Sequence, residues 1–134
     1  MTENLYFAYG ANMHPGHMSW RCPQAQARGA FSLRDWELKF YCHATVEPNA
    51  GATCPGVLWS ITDECEKSLD VFEGFPYYYT KRTWFQDGTQ FFFYEMADPK
   101  SGTPSQGYVQ DIADSYDFWG IPRQSLTHLI YDPA

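Results

Sequence analysis

Asp87-Gly88 sits between two runs of strand-forming residues, Tyr77 to Gln86 and Thr89 to Met96. A type I′ turn needs φ > 0 at both central positions, and Asp-Gly meets that demand while matching the twist of the flanking strands. The stretch is therefore read as an antiparallel hairpin. Its strands carry Tyr77-Tyr78-Tyr79 and Phe91-Phe92-Phe93-Tyr94, and alternation puts successive rings on opposite faces. Most of these rings are needed for packing, which leaves Tyr79 and Tyr94 as candidates to line a pocket. A lone hairpin is marginal in water, so the rest of the chain has to complete the sheet.

Leu5 to Ala8 is a short apolar run ended by Tyr9-Gly10-Ala11-Asn12, a first strand feeding a turn. Asn12 to Cys22 contains Pro15 and Gly16 and allows at most a short helix. From Ala25 to Val46 the pattern alternates loosely, with Phe31, Leu33, Trp36, Leu38 and Phe40 predicting two strands about a turn at Arg34-Asp35. Glu47 to Pro55, rich in Gly, Pro and Asn, reads as loop, and Gly56 to Ile61 as a strand buried on both faces. Asp63 and Glu66 form an Asp-x-x-Glu capping box with Asp63 as N-cap. Cys65, Leu69 and Phe72 supply the buried stripe of the helix that follows, and Gly74 before Phe75-Pro76 ends it. After a polar loop from Ala97 to Gln106, Tyr108 to Phe118 and Pro122 to Ile130 read as two helices. With 134 residues and no repeat or linker, the expectation is one α+β domain with about six strands.

Several function classes fall away at this stage. A net charge of −7 repels phosphate backbones, so no nucleic acid partner is expected. No stretch approaches the roughly 18 apolar residues of a membrane span, and the start lacks a basic-then-apolar secretory pattern, so a cytoplasmic protein is expected. Cys22, Cys42, Cys54 and Cys65 show no Cys-x-x-Cys spacing and are expected to be reduced structural thiols. His14-x-x-His17 with Cys22 raises a metal site, but zinc spacing normally brings two close pairs. Only Cys42-His43, on another strand, offers a second, and no metal is expected. Ser19, Ser60 and Ser125 lack a nucleophile-elbow context, and there is no phosphate loop with its Lys.

Two features point to chemistry. Glu73 lies in the last turn of its helix, facing the negative end of the macrodipole. It is also about 40° from Leu69 on a helical wheel, between Phe72 and Phe75. Dipole and partial burial both disfavour its charged form and raise its pKa, which suits a general acid or base. The same position also fits an ordinary exposed Glu at a helix end. The second feature is the turn Tyr9-Gly10-Ala11-Asn12, whose consecutive N–H groups form a nest able to hold a carboxylate or a developing oxyanion. Asn12 adds an amide. A glycine after a strand serves equally as a plain turn.

These residues resemble a known family. Tyr6-Phe7-Ala8-Tyr9-Gly10-Ala11-Asn12-Met13 is similar to the N-terminal signature of the γ-glutamylcyclotransferase-like (AIG2-like, γ-glutamylamine cyclotransferase-like) proteins. Gly56-Val57-Leu58-Trp59 followed by Leu69-Asp70-Val71-Phe72-Glu73-Gly74 resembles their second, and Tyr108 with Gly120-Ile121-Pro122 their closing helices. The resemblance implies a small mixed β-barrel with short helices around it. It also implies release of 5-oxoproline from a small γ-glutamyl compound with no cofactor. A monomer or weak homodimer is expected. Glu73 takes the place of the catalytic base, and Tyr6, Phe7, Ala8, Tyr9, Gly10, Ala11, Asn12 and Tyr94 those of substrate-binding residues. Where the family often has Ser after the turn glycine, this chain has Ala11, which keeps the backbone donor and loses a hydroxyl. The alternative is a non-catalytic small-molecule binding domain of the same fold.

Overall fold

The computed structural model describes residues 4–126. Within them lie β1 (Asn4–Ala8), α1 (Pro15–Arg21), β2 (Gln26–Phe40), β3 (Ala44–Ile61), α2 (Asp63–Glu73), β4 (Tyr79–Gln86), β5 (Thr89–Met96) and α3 (Gln106–Trp119). The five strands form one sheet in the order β2-β3-β1-β5-β4. β1 runs antiparallel to β3 and parallel to β5, so the shortest strand holds the centre. The hairpin forms where expected: Asp87 and Gly88 have φ of 53° and 78°.

Alternation along β1 sorts its rings to two faces. Phe7 turns into a cluster with Phe31, Phe91 and Phe93. Tyr6 turns the other way, stacked on Phe92 at 5.4 Å and edge-on to Tyr94 at 5.8 Å. Gly56, paired beside the end of β1, permits this approach. A Cβ there would meet the Ala8 carbonyl oxygen at 2.4 Å and the Phe7 ring at 2.6 Å.

Five strands form where about six were expected, and several expectations about single elements need correction. Arg34-Asp35 is a bulge inside one long strand and not a turn, with Asp35 at φ 70° and a register shift between Arg34 and Trp36. Glu47 to Pro55 is strand and not loop, because it pairs along β2 to make a long hairpin turning at Tyr41 to His43. Its prolines sit opposite Trp36 and Ser32 on the ladder. The helix cap moves back one residue. Thr62 is the N-cap, its Oγ1 accepting from Cys65 N at 3.1 Å, and Asp63 becomes the first helical residue. The stretch from Pro122 yields a 3-10 turn, Arg123–Leu126, and the remainder of that expected helix lies outside the described residues. Finally, Cys22 and Cys65 are joined as a disulfide, with Cα atoms 5.1 Å apart. They come together because the end of α1 packs on the first turn of α2, which a sequence separation of 43 does not announce.

The main-chain ladder does not close into a barrel among the described residues, since β2 and β4 remain edges. Side chains span the gap. Gln86 accepts from Arg34 N through Oε1 and donates to the Ser32 carbonyl through Nε2, both at 2.9 Å. The Arg34 guanidinium grips both Asp87 carboxylate oxygens at 2.9 and 2.7 Å. The amide thus reproduces the donor and acceptor of a missing strand partner. No helix among the described residues is long and apolar enough to cross a membrane.

α2 is fastened to the Tyr6 face of the sheet. Lys81 on β4 reaches Glu66 at 2.6 Å and Asp70 at 2.8 Å, and the Tyr94 hydroxyl donates to Asp70 at 2.6 Å. Gly74, at φ 68°, ends the helix with Gly74 N bonded to Val71 O and Phe75 N to Asp70 O, the paired bonds of a Schellman motif.

Replacing Gln86 by Leu removes both edge bonds and leaves the Ser32 and Arg34 backbone groups without that partner. The expected cost is about 1–3 kcal/mol in urea denaturation, while a Glu73→Gln control keeps the edge intact.

Candidate active site

A cavity of about 200 Å³ opens beside the end of β1. Its buried floor holds Tyr6, Tyr9, Asn12, Tyr79 and Tyr94, and its exposed mouth holds Phe72, Tyr78 and His43. Glu73 stands between them, half-buried. It arrives there because Asp70, one turn earlier, is anchored to Lys81 and Tyr94.

Glu73 is the one carboxylate among the lining residues. Burial pushes its pKa up to about 7, and the Arg21 guanidinium partly opposes this. Arg21 lies over the Phe72 ring at 3.5 Å and donates to the His17 carbonyl, so its charge is near the site without entering the cavity. Asn12 Nδ2 donates to Glu73 Oε1 at 3.3 Å and to the Tyr6 hydroxyl at 3.1 Å. The Asn12 amide oxygen is buried without a hydrogen-bond partner. A carboxyl group with a pKa near neutrality exists in both protonation states at pH 7 and can accept a proton and return it.

The tyrosines are fixed by their hydroxyls. Tyr9 donates to the Tyr94 carbonyl and Tyr79 to the Ala44 carbonyl, each at 2.6 Å. Tyr108 on α3 accepts from Ala44 N at 3.0 Å. Burial holds all of them above the usual phenol pKa, Tyr108 at about 12. They therefore stay neutral, as hydrogen-bonding walls and not as bases.

The turn after β1 completes the rim. Gly10, Ala11 and Asn12 line the cavity, and Ala11–Met13 form a 3-10 turn whose first internal bond is Met13 N to Gly10 O. The N–H groups of Ala11 and Asn12 precede that bond and have no partner within the turn. Gly10 is held close: a Cβ there would lie 3.1 Å from the Tyr108 hydroxyl.

Of the residues expected from sequence, the cavity gathers Tyr6, Tyr9, Gly10, Ala11, Asn12, Glu73 and Tyr94. Phe7 and Ala8 are corrections. Neither lines it: Phe7 faces the aromatic core, and Ala8, although on the Tyr6 face by alternation, does not reach the cavity. Phe72 is another, at 43% exposure at the mouth and not in the buried stripe. Tyr94 contributes its ring, its hydroxyl being taken by Asp70. His43 and Tyr78 were not foreseen. His43 Nδ1 and the Tyr78 hydroxyl are 2.8 Å apart, a pairing set by the long β2–β3 hairpin that only its full length would have signalled. The histidines considered for metal have other roles. His14 Nδ1 accepts from Gly16 N at the start of α1, and His17 meets Asp111 at 3.3 Å. Among the described residues no group of three or more His, Cys, Asp or Glu is placed to hold a metal ion.

Comparison with solved structures shows the same fold in a protein named γ-glutamyl cyclotransferase. It is 24% identical, with a TM-score of 0.84, covering 99% of this chain and 90% of that one. The uncharacterized protein loc79017 from Homo sapiens is 25% identical with a TM-score of 0.85, covering 100% and 90%. YkqA from Bacillus subtilis is 19% identical with a TM-score of 0.77, covering 93% of this chain and 52% of that one. No curated protein sequence matches the chain. The family model described as γ-glutamyl cyclotransferase, AIG2-like, matches residues 6–114, a span that includes every lining residue named above, and the chain belongs to that family.

Proposed function

We propose that this protein is a cofactor-independent cyclotransferase that converts a small γ-glutamyl compound to 5-oxoproline and a free amine, with Glu73 as the proton carrier. The observation that supports this most is a lone carboxyl group, raised to about 7, facing a tyrosine-walled cavity. The substrate's α-nitrogen attacks its own γ-carbonyl carbon, forming the lactam C–N bond, and the γ-amide C–N bond breaks. The α-ammonium gives up two protons in becoming the lactam N–H, and the departing nitrogen gains two in leaving as an ammonium. Glu73 relays protons between them.

The magnitudes favour a raised pKa. Moving a proton from an α-ammonium of pKa about 8 to a carboxylate at about 7 costs about 1.4 kcal/mol, whereas a carboxylate at about 4.3 would cost about 5 kcal/mol. The N–H groups of Ala11 and Asn12 are the proposed donors to the oxyanion that develops on the γ-oxygen. Because nucleophile and leaving group share one molecule, the protein supplies orientation and a proton path, not a nucleophile of its own.

Incubation with γ-glutamyl amines and amino acids, following 5-oxoproline by mass spectrometry, should give turnover that falls about 10²–10⁴-fold in Glu73→Gln. Equal turnover by both would remove Glu73 from the mechanism. Binding seen as thermal stabilisation, with no product from any member, would favour a non-catalytic binding domain. The acid limb of kcat/KM should lie near pH 7, since Glu73 must be ionised to accept a proton. Arg21 lowers that pKa, so Arg21→Gln should move the limb to higher pH, and an unmoved limb would assign it to another group.

A further inference from the structure

We infer that a second groove, adjoining the mouth of the cavity at Tyr78, is a subsite for an aromatic leaving amine; this rests on the cyclotransferase reading above. The groove has a volume of about 380 Å³ and shares Tyr78 as a wall with the Glu73 cavity. Cys42 lines the groove and its neighbour His43 lines the cavity, so the β2–β3 turn borders both. Its other surfaces are Tyr41, Tyr77 and Met96, with Asp98, Lys100 and Ser101 at its polar side.

Size argues that the substrate uses both spaces. Pockets for drug-sized ligands run to about 300–1,000 Å³, and the Glu73 cavity, at about 200 Å³, suits the glutamyl group alone. A γ-carbonyl held beside Glu73 directs its amide nitrogen toward the mouth, where Phe72, Tyr78 and His43 stand. A leaving group with any length then passes Tyr78 into the groove.

Chemistry argues for an aromatic one. The Tyr41 ring is held by its hydroxyl, which donates to Glu47 at 2.7 Å. Tyr78 is held by His43 at 2.8 Å and edge-on against Tyr79. Tyr77 is 88% exposed, an unburied aromatic face at the entrance. Met96, buried at the base, offers a thioether for sulfur–ring contact. Oriented rings with an apolar base favour stacking of an aryl group over solvation of a small polar one. The segment that carries Asp98, Lys100 and Ser101 lines the groove and approaches the β2–β3 turn closely at Gly102. A Cβ on Gly102 would lie 2.5 Å from the Cys42 sulfur.

The test compares γ-glutamyl-phenethylamide with γ-glutamyl-methylamide, which share the reacting atoms and differ only in what reaches the groove. The wild type should favour the phenethylamide in kcat/KM. Tyr77→Ala should lose about tenfold on it and leave the methylamide unchanged; because Tyr77 is exposed, its fold should be intact, as an unaltered melting temperature would verify. Equal kcat/KM for the two wild-type substrates, or a Tyr77→Ala loss shared equally by both, overturns the subsite while leaving the cyclotransferase reading standing. No 5-oxoproline from either amide, while another γ-glutamyl compound is turned over, overturns the subsite alone; no 5-oxoproline from any γ-glutamyl compound overturns that reading, and the subsite with it.

Discussion

The anchoring of Asp70 decides where the candidate site of this molecule sits. Lys81 and the Tyr94 hydroxyl both bind that carboxylate, at 2.8 and 2.6 Å, and so hold α2 against β4 and β5 one turn before Glu73. The disulfide from Cys22 to Cys65 fixes the other end of the same helix to α1. Between these two attachments the helix has little freedom to rotate, and its last turn delivers Glu73 to the cavity while Gly74 turns the chain away. Deeper in the sheet, Gly56 permits β3 to lie against Phe7 and Ala8, which sets the exit direction of the Tyr9 to Asn12 turn. The site is thus the meeting of a clamped helix and a backbone turn whose origin is fixed by close packing.

Placing a carboxyl group there carries a stability cost of defined sign. Its folded pKa of about 7 stands above the ordinary 4.5, so the native state binds the proton more tightly than the unfolded chain. Stability from the neutral form is fully present below about 4.5 and is lost as pH rises through about 7. The protein tolerates an acid that would be more comfortable protonated, and local rules are most often broken at functional sites in this way. Arg21, on the Phe72 ring, moderates the effect from outside the cavity.

The sequence made legible those features whose cause is local. The Asp87-Gly88 hairpin, the strand from Leu5, the helix ended by Gly74 and the helix read at Tyr108 to Phe118, found as Gln106–Trp119, are each signalled by residues within a few positions of one another. Glu73 was found because helix position alone sets its conflict with the dipole. What was missed depends on long-range pairing. Glu47 to Pro55 has the composition of a loop, and only β2 beside it makes it a strand. Phe7 and Ala8 share a motif with Tyr6 and Tyr9, but the direction of each side chain follows from the ladder. Cys22 with Cys65, and His43 with Tyr78, meet across 43 and 35 residues, and no spacing rule reports such a meeting. The barrel expectation lies between the two: the edges do approach, yet a Gln86 side chain joins them where a strand ladder would close a true barrel.

Titration of the Glu73 carboxyl carbon by NMR, with the resonance assigned by its loss in Glu73→Gln, tests the central claim most directly, because cavity, dipole and the proposed proton relay all meet in that one group. A midpoint near 7 is predicted. A midpoint at the ordinary carboxylate value of about 4.5 would show an acid in contact with water, and would contradict the account of the site.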